Sequence, residues 1–411
     1  MKKYIVVLLY VLLILTLAGG LSAVFFHLAS KETSDKAVST GNTETVKSTE
    51  LSRDVAESGN TEKAGDAQGN GTSVDVDNAS MSDGTEGTET AGNTSGSEEE
   101  TEGAVTLMFA GDVMLDGVPS ANYDAYGITG VVSQELLDEL TGADILMVNN
   151  EFAWSDRGTA MEDKEYTYRC NPSYVTILKE LGVDIVSLAN NHTLDFGKEA
   201  LSDTFTTLDG AGILYAGAGE SKERAEQVQV IEKGGKKFGF IAGSRVIPVT
   251  DWNVENAQPG LFTVYDYSRL VELVAQAKES CDFVTVYLHW GIERVEYPEE
   301  YERAMAKACI EAGADLIIGG HAHCIQGVEF IENVPVFYAL GDFIFLRQTS
   351  HSAVVSVTVE ADGTVSYRYL PTYTSGGVTQ LLDEAGTQET YRYVEGISWG
   401  MTIGEDGTIQ P

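Results

Sequence analysis

The chain has 411 residues, with 63 acidic against 26 basic side chains and a formal net charge of −37. Over residues 104–411 the net charge is −27, which argues against nucleic acid and anionic lipid surfaces as partners, and against a polyanionic substrate unless metal ions reverse the field locally. Charge and apolar residues are spread unevenly, so length alone is a poor guide to domain number.

Residues 4–29 carry no Asp, Glu, Lys or Arg. As a helix rising about 1.5 Å per residue the run reaches about 39 Å, more than a bilayer core of about 30 Å. Lys2 and Lys3 precede it, which keeps the N-terminus in the cytoplasm and sends the rest across the membrane. We expect residues 1–30 to form a transmembrane signal-anchor, in a single-pass protein of the cell membrane with its C-terminal domain outside. The alternative is a cleaved signal peptide with Tyr4–Leu17 as apolar core and small residues at Ala18–Ala23. Apolar Val24, Phe25, Phe26 and Leu28 beyond that stretch favour the anchor.

Residues 31–103 contain seven Val, Leu or Met and no Ile, Phe, Tyr, Trp or Cys, with 17 acidic against 5 basic residues. Such a segment buries too little apolar surface to offset its ordering entropy. A disordered, acidic, Ser/Thr/Gly-rich linker between membrane and domain is expected.

From residue 104 onward the character changes. Strands are predicted over Val105–Ala110, Asp144–Val148, Val183–Leu188, Ile213–Ala216, Val228–Ile231, Lys237–Ala242, Phe283–Leu288, Leu316–Ile318 and Val336–Leu340. Helical patterns fall between them at Val131–Leu140, Ser173–Leu181, Glu199–Gly210, Tyr267–Glu279 and Glu299–Ala312. Alternation of this kind predicts layered α/β structure with a mixed, mainly parallel sheet. A hairpin is expected around Asp362-Gly363. These elements define a domain over 104–375, followed by a Gly-rich tail, 376–411, for which the pattern gives no structural expectation. Cys170, Cys281, Cys309 and Cys324 lack CxxC spacing and are expected as free thiols, since a domain this large builds its core without staples.

Polar residues recur directly after the apolar runs. Asp112 follows the first and Asn149-Asn150-Glu151 the second; Asn190, Asn191 and His192, with Asp195 close behind, follow the third. His289 ends a later run, His321 and His323 follow the next, and Asp342 comes after the last. The carboxyl ends of strands in open α/β sheets face the ligand crevice, so separate strands deliver these donors to one rim. Mixed carboxylate, amide and imidazole donors suit one or two divalent ions such as Mn, Fe or Zn. Asp342 is read as a hydrogen-bonding support for the histidines or as a turn cap. Arg245 is read as a binder of a substrate carboxylate or as one end of a surface salt bridge.

The ordered series GDVM, NNE, ANNHTLDFG, HWG, GGHAH and GDF resembles the CapA family, named for poly-γ-glutamate capsule synthesis. That family is similar in fold to the calcineurin-like metallophosphoesterases. The likeness covers about 105–345 and takes in YAGAGESKERAEQV and GKKFGFIAGS. It implies a layered α/β sandwich of the metallophosphoesterase type. Asp112 and His323 would ligate one metal, Asn191, His289 and His321 a second, Glu151 would bridge them, and His192 would donate a proton. Asn190 competes with Asn191 for the amide role. Met114 stands where the phosphoesterases place a His ligand, and Glu151 where they place an Asp. The resemblance further implies a metal-dependent hydrolase or transferase in synthesis or processing of poly-γ-glutamate or a related anionic polymer, with capsule-synthesis membrane proteins as candidate partners. A non-catalytic factor that binds, assembles or exports the polymer is the alternative. A general secreted phosphoesterase fits the charge and the altered ligands less well.

Overall fold

The structure is a computed structural model that describes residues 103–254, 258–345 and 348–411. The anchor expected over 1–30 and the linker expected over 31–103 lie, but for Gly103, outside the described residues.

In chain order the strands are β1 (Val105–Val113), β2 (Ile145–Asn150), β3 (Ala153–Trp154), β4 (Arg169–Cys170), β5 (Ile185–Ser187), β6 (Leu214–Ala216), β7 (Ala218–Gly219), β8 (Gln229–Lys233), β9 (Lys236–Ser244) and β10 (Gly260–Leu261). Then come β11 (Phe283–His289), β12 (Leu316–Gly320), β13 (Val328–Ile331), β14 (Val334–Phe337), β15 (Asp342–Ile344), β16 (Thr349–Val359), β17 (Val365–Ser375), β18 (Val378–Leu381), β19 (Thr402–Ile403) and β20 (Thr408–Gln410). The main helices are α1 (Val118–Tyr126), α2 (Gln134–Thr141), α3 (Gly197–Ala211), α4 (Ser268–Lys278), α5 (Glu300–Glu311) and α6 (Glu384–Gly396).

Two large mixed sheets result. The first runs β19-β20-β17-β16-β1-β2-β5-β6, with β15 beside β1 and β18 beside β17; the second runs β13-β14-β12-β11-β9-β8. Strands β2, β11 and β12 are buried along their whole length, as strands covered on both faces must be. Alternation decides which face meets what. Val105, Leu107 and Phe109 of β1 share a core with Phe238, Phe240, Phe283 and Ile318 of the second sheet. Met108 and Ala110, pointing the other way, pack with Leu136 of α2 and Leu201 of α3. Val284, Val286 and Ile317 pack with Leu273 of α4 and Met305 of α5. The sheets therefore lie face to face with helices outside.

The expectation of a mainly parallel sheet is corrected. Parallel and antiparallel pairings are equally numerous in the two large sheets, seven of each. The β16–β17 hairpin, turning at Gly363 with φ 85°, returns antiparallel along β1 and carries β18 and β20 with it. The stretch 376–411 supplies β18, α6, β19 and β20 and so completes the first sheet. Strand order is a long-range property that alternating apolar runs do not encode. Within each sheet the strands that precede the polar motifs remain parallel: β1, β2 and β5 in one, β9, β11 and β12 in the other. Each sheet thus gathers its carboxyl ends on one rim.

Candidate metal centre

The two rims meet at Asp112. Its Oδ2 accepts the backbone N–H of His321 at 3.1 Å, and its Oδ1 accepts the Asn149 side-chain amide at 2.8 Å. His323 Nδ1 stands 2.7 Å from Asp342 Oδ1 and 3.6 Å from Asp112 Oδ2. Just past β2, Glu151 is fully buried, with Oε1 3.6 Å from His289 Nε2. His289 Nε2 is 2.8 Å from Asn191 Oδ1, and the His289 and His321 rings lie 4.8 Å apart. Two sets of ligand atoms emerge, each with members within 4.8 Å of one another: Asp112, Glu151 and His323, and Glu151, His289 and His321. Glu151 belongs to both.

Local backbone geometry makes this possible. His321 and His323 both take positive φ, 89° and 50°, a region that side chains with a Cβ enter only when their surroundings compel it. The turn after β12 thereby aims two imidazoles at the rim. Gly320 matters for a different reason: a Cβ there would sit 2.6 Å from Asp112 Oδ1, so only glycine lets the carboxylate come this close.

The donors fit a divalent metal. Both oxygens of Glu151 and Nδ1 of His321 are buried with no hydrogen-bond partner among the described residues. An unpaired buried carboxylate is expensive, and two such groups turned to one point are what an ion with oxygen and nitrogen ligands would satisfy. Burial pushes Glu151 well above the usual carboxylate range and raises Asp112 to about 6. Burial, with neighbouring His323, lowers His321 to about 3, and burial also pulls His289 far down. For His323 burial acts downward, but Glu151, the Asp342 hydrogen bond and Asp112 prevail and raise it to about 10.

These shifts set a pH dependence. Asp112 is raised in the folded chain, so without metal the fold gains stability as the carboxyl takes up its proton, and loses it as pH rises from about 4 to about 6. Metal binding needs the deprotonated form and runs the other way. The thermal shift produced by Mn²⁺ or Zn²⁺ should therefore be clearly larger at about pH 7.5 than at about pH 5. Equal shifts at both would contradict a carboxylate-based centre.

The remaining expected residues separate by contact. Asn190 is consumed by the fold: its Oδ1 accepts from His192 N and Thr193 Oγ1, and its Nδ2 donates to Asn149 Oδ1 and Asn150 O. Asn191 is the amide that faces His289. His192 Nδ1 lies 2.7 Å from Asp195 Oδ2, and Asp195 Oδ1 pairs with Lys164. Arg245 stays outside the cluster, its backbone N–H on His289 O at 2.8 Å and its guanidinium over the rings of Tyr265 and Tyr301. Met114 is buried in the apolar core under α2 and α3.

Lys164 and Tyr168 went unseen in the sequence, and Asn149 was named there only within its polar triplet. Asn149 places its amide between Asp112 and His289. Lys164 bonds the backbone oxygen of Asn191 and pairs with Asp195. Tyr168 sets its ring 4.4 Å from that of His192. The only available signal was for Asn149, which sits in a polar triplet directly after an apolar run.

Fold and site together define an α/β protein with a buried candidate metal centre at the seam of two sheets. The chain belongs to the bacterial capsule synthesis protein family PGA_cap, whose profile matches residues 106–347. It is 27% identical over 294 residues to the capsule biosynthesis protein CapA of Bacillus anthracis, covering 68% of this chain and 71% of that one. It is 28% identical over 212 residues to the PGA biosynthesis protein CapA of Bacillus subtilis, covering 51% of this chain and 56% of that one; the match thus spans little more than half of that relative. Among solved structures, the sulfate thiohydrolase SoxB of Thermus thermophilus aligns with a TM-score of 0.38 and 14% identity, over 71% of this chain and 59% of that one. A score this low supports no conclusion about activity.

Proposed function

We propose that the chain is a metal-dependent hydrolase or transferase acting outside the membrane on poly-γ-glutamate or a related anionic cell-surface polymer. The observation that carries the reading is Glu151, a fully buried carboxylate that has no hydrogen-bond partner among the described residues and belongs to two groups of metal donors at once. The substrate class rests on the family and on the relative named for PGA biosynthesis. The uncharged run at 4–29 supports a membrane tether, and capsule-synthesis membrane proteins are the partners this placement favours.

Asp112 and His323 would hold one ion, His289, His321 and Asn191 another, with Glu151 shared. Bound there, such ions supply a water acidic enough to attack near neutral pH and polarise the bond under attack. His192 handles the proton. With its Nδ1 proton given to Asp195 Oδ2, 2.7 Å away and beside Lys164 Nζ at 3.1 Å, the ring would have Nε2 left to accept or deliver one. Lys164 fixes Asp195, and the backbone N–H of Tyr168 donates to the same carboxylate at 2.7 Å. This support is what a proton-transferring imidazole needs, and it favours an enzyme over a metal that merely grips polymer carboxylates.

Elemental analysis of the purified full-length chain tests the centre. Wild type should carry one or two divalent ions, and Glu151→Gln, which keeps shape and removes charge, should carry almost none. Metal content of Glu151→Gln equal to wild type would overturn the reading.

A further inference from the structure

Tyr168 stands just before β4, and its backbone is pinned from two sides. Its N–H donates to Asp195 Oδ2 at 2.7 Å, and its carbonyl accepts the N–H of Ala153 in β3 at 3.3 Å. Aromatic contacts then hold the ring. It lies 4.4 Å from the His192 ring and meets Phe345 edge-on at 5.7 Å, and Phe345 in turn lies 4.8 Å from His323. A row of rings thus runs from the imidazole beside Asp195 to a candidate metal ligand, with Tyr168 in its middle.

The hydroxyl is the part that this packing leaves unused. Among the described residues Tyr168 forms hydrogen bonds through its backbone alone. The hydroxyls of Tyr123, Tyr174, Tyr287, Tyr338 and Tyr391 each donate to an oxygen. Tyr168 is only partly buried, and its oxygen is not one of the sealed, unpaired atoms of the fold, so solvent reaches it. Burial, and then the charges of Glu151 and Asp195, push the phenol up to about 12. Near neutral pH it therefore keeps its proton and is a donor. A phenylalanine would fill the same space and stack as well, so the oxygen needs another reason.

We propose that the Tyr168 hydroxyl is a catalytic hydrogen-bond donor to the substrate oxygen that gains negative charge during bond cleavage. The inference rests on the proposed function for the reaction and the polymer. In cleavage of a polymer amide, the oxygen of a water adds to the carbonyl carbon, one water proton passes to His192 Nε2, and the carbonyl π pair moves onto its oxygen. Tyr168 donates a hydrogen bond to that oxygen and keeps its own proton. The pair then re-forms the C=O bond as the C–N bond breaks, and the proton on His192 goes to the leaving nitrogen, giving an acid and an amine. Contact between the two rings fixes the spacing of the group that handles the proton and the group that meets the charge. A donor set in place before the reaction is worth most where charge develops.

The test is steady-state hydrolysis of γ-linked hexaglutamate by the full-length, metal-loaded chain. Tyr168→Phe removes one oxygen and keeps the ring. It should lower kcat about 10²-fold or more while KM stays within about twofold, because the hydrogen bond strengthens only as charge develops. Metal content should remain at the wild-type level. Calorimetric binding gives a second readout that needs no turnover. A phosphinate analogue of the amide, which carries the tetrahedral charge, should bind Tyr168→Phe at least about tenfold more weakly than wild type, while hexaglutamate binds both alike. A ring that only packs would move neither kcat nor analogue binding. Unchanged kcat in Tyr168→Phe, or equal binding of the analogue, would overturn the proposal and leave metal-dependent cleavage standing. A metal-loaded wild type that does not cleave the oligomer would overturn cleavage itself and the proposal with it, so the two failures are told apart.

Discussion

His192→Ala should keep its metal and lose about 10²–10⁴-fold in turnover of poly-γ-glutamate. The ring is 5% exposed, and none of the close donor sets includes it. Its Nδ1 lies 2.7 Å from Asp195 Oδ2 and 3.1 Å from Lys164 Nζ, and its backbone N–H is held by Asn190 Oδ1 at 3.0 Å. Truncation therefore removes a proton carrier while leaving the donors where they are. His321→Ala should do the opposite, lowering metal content and activity together. If His192→Ala processed polymer as wild type while His321→Ala failed, the metal would serve as a binding device, and the chain would be an assembly factor rather than an enzyme.

Gly319→Ala should be among the most destabilising single substitutions in the domain. A Cβ at this position in β12 would sit 1.9 Å from the backbone oxygen of Tyr338 and 2.4 Å from Trp290 Nε1. Those two atoms are hydrogen-bonded to each other at 2.8 Å, so the methyl group would force that bond open and push β12 from β14. Overpacking of this kind costs about 1–3 kcal/mol, and a buried hydrogen bond left unmade about 1–3 more. Domains of ordinary stability hold about 5–15 kcal/mol in all, so a fall in Tm of about 5–15 °C is expected. Gly210→Ala is the control. It lies in α3 with nothing within 4 Å of an added Cβ, and should be neutral or stabilising by up to about 1 kcal/mol. A Gly319→Ala protein melting with wild type would refute the close packing described here.

Much of the frame was legible before any coordinates. The run Phe283–Leu288 becomes β11 with one residue added, because a strand buried on both faces must be apolar almost to its end. Helix α2 was expected from Val131 yet starts at Gln134. Ser133 caps it by accepting the Leu136 N–H at 3.3 Å, and Val131 and Val132 are drawn into the core instead. The split into two sheets was not readable, since it depends on which distant strands pair. In the site, the strand-end donors stood out because a polar residue after a buried run needs a reason. Lys164 did not. It sits in an irregular stretch between β3 and β4, far along the chain from Asn191 and Asp195, and only the folded chain brings its ammonium to them.

The candidate ligands divide by origin. Asp112, Glu151 and Asn191, which offer oxygen, lie in or just past strands of the first sheet; His289, His321 and His323, which offer nitrogen, end or follow strands of the second. Neither half of the chain holds a complete coordination shell. An ion would find its full set of ligands only after the two sheets have docked, so its binding energy would arrive late in folding and act as a latch on the finished sandwich rather than as a seed for either layer. Pulling the ion out would loosen first the seam between the layers, on which the candidate ligands of both sheets converge.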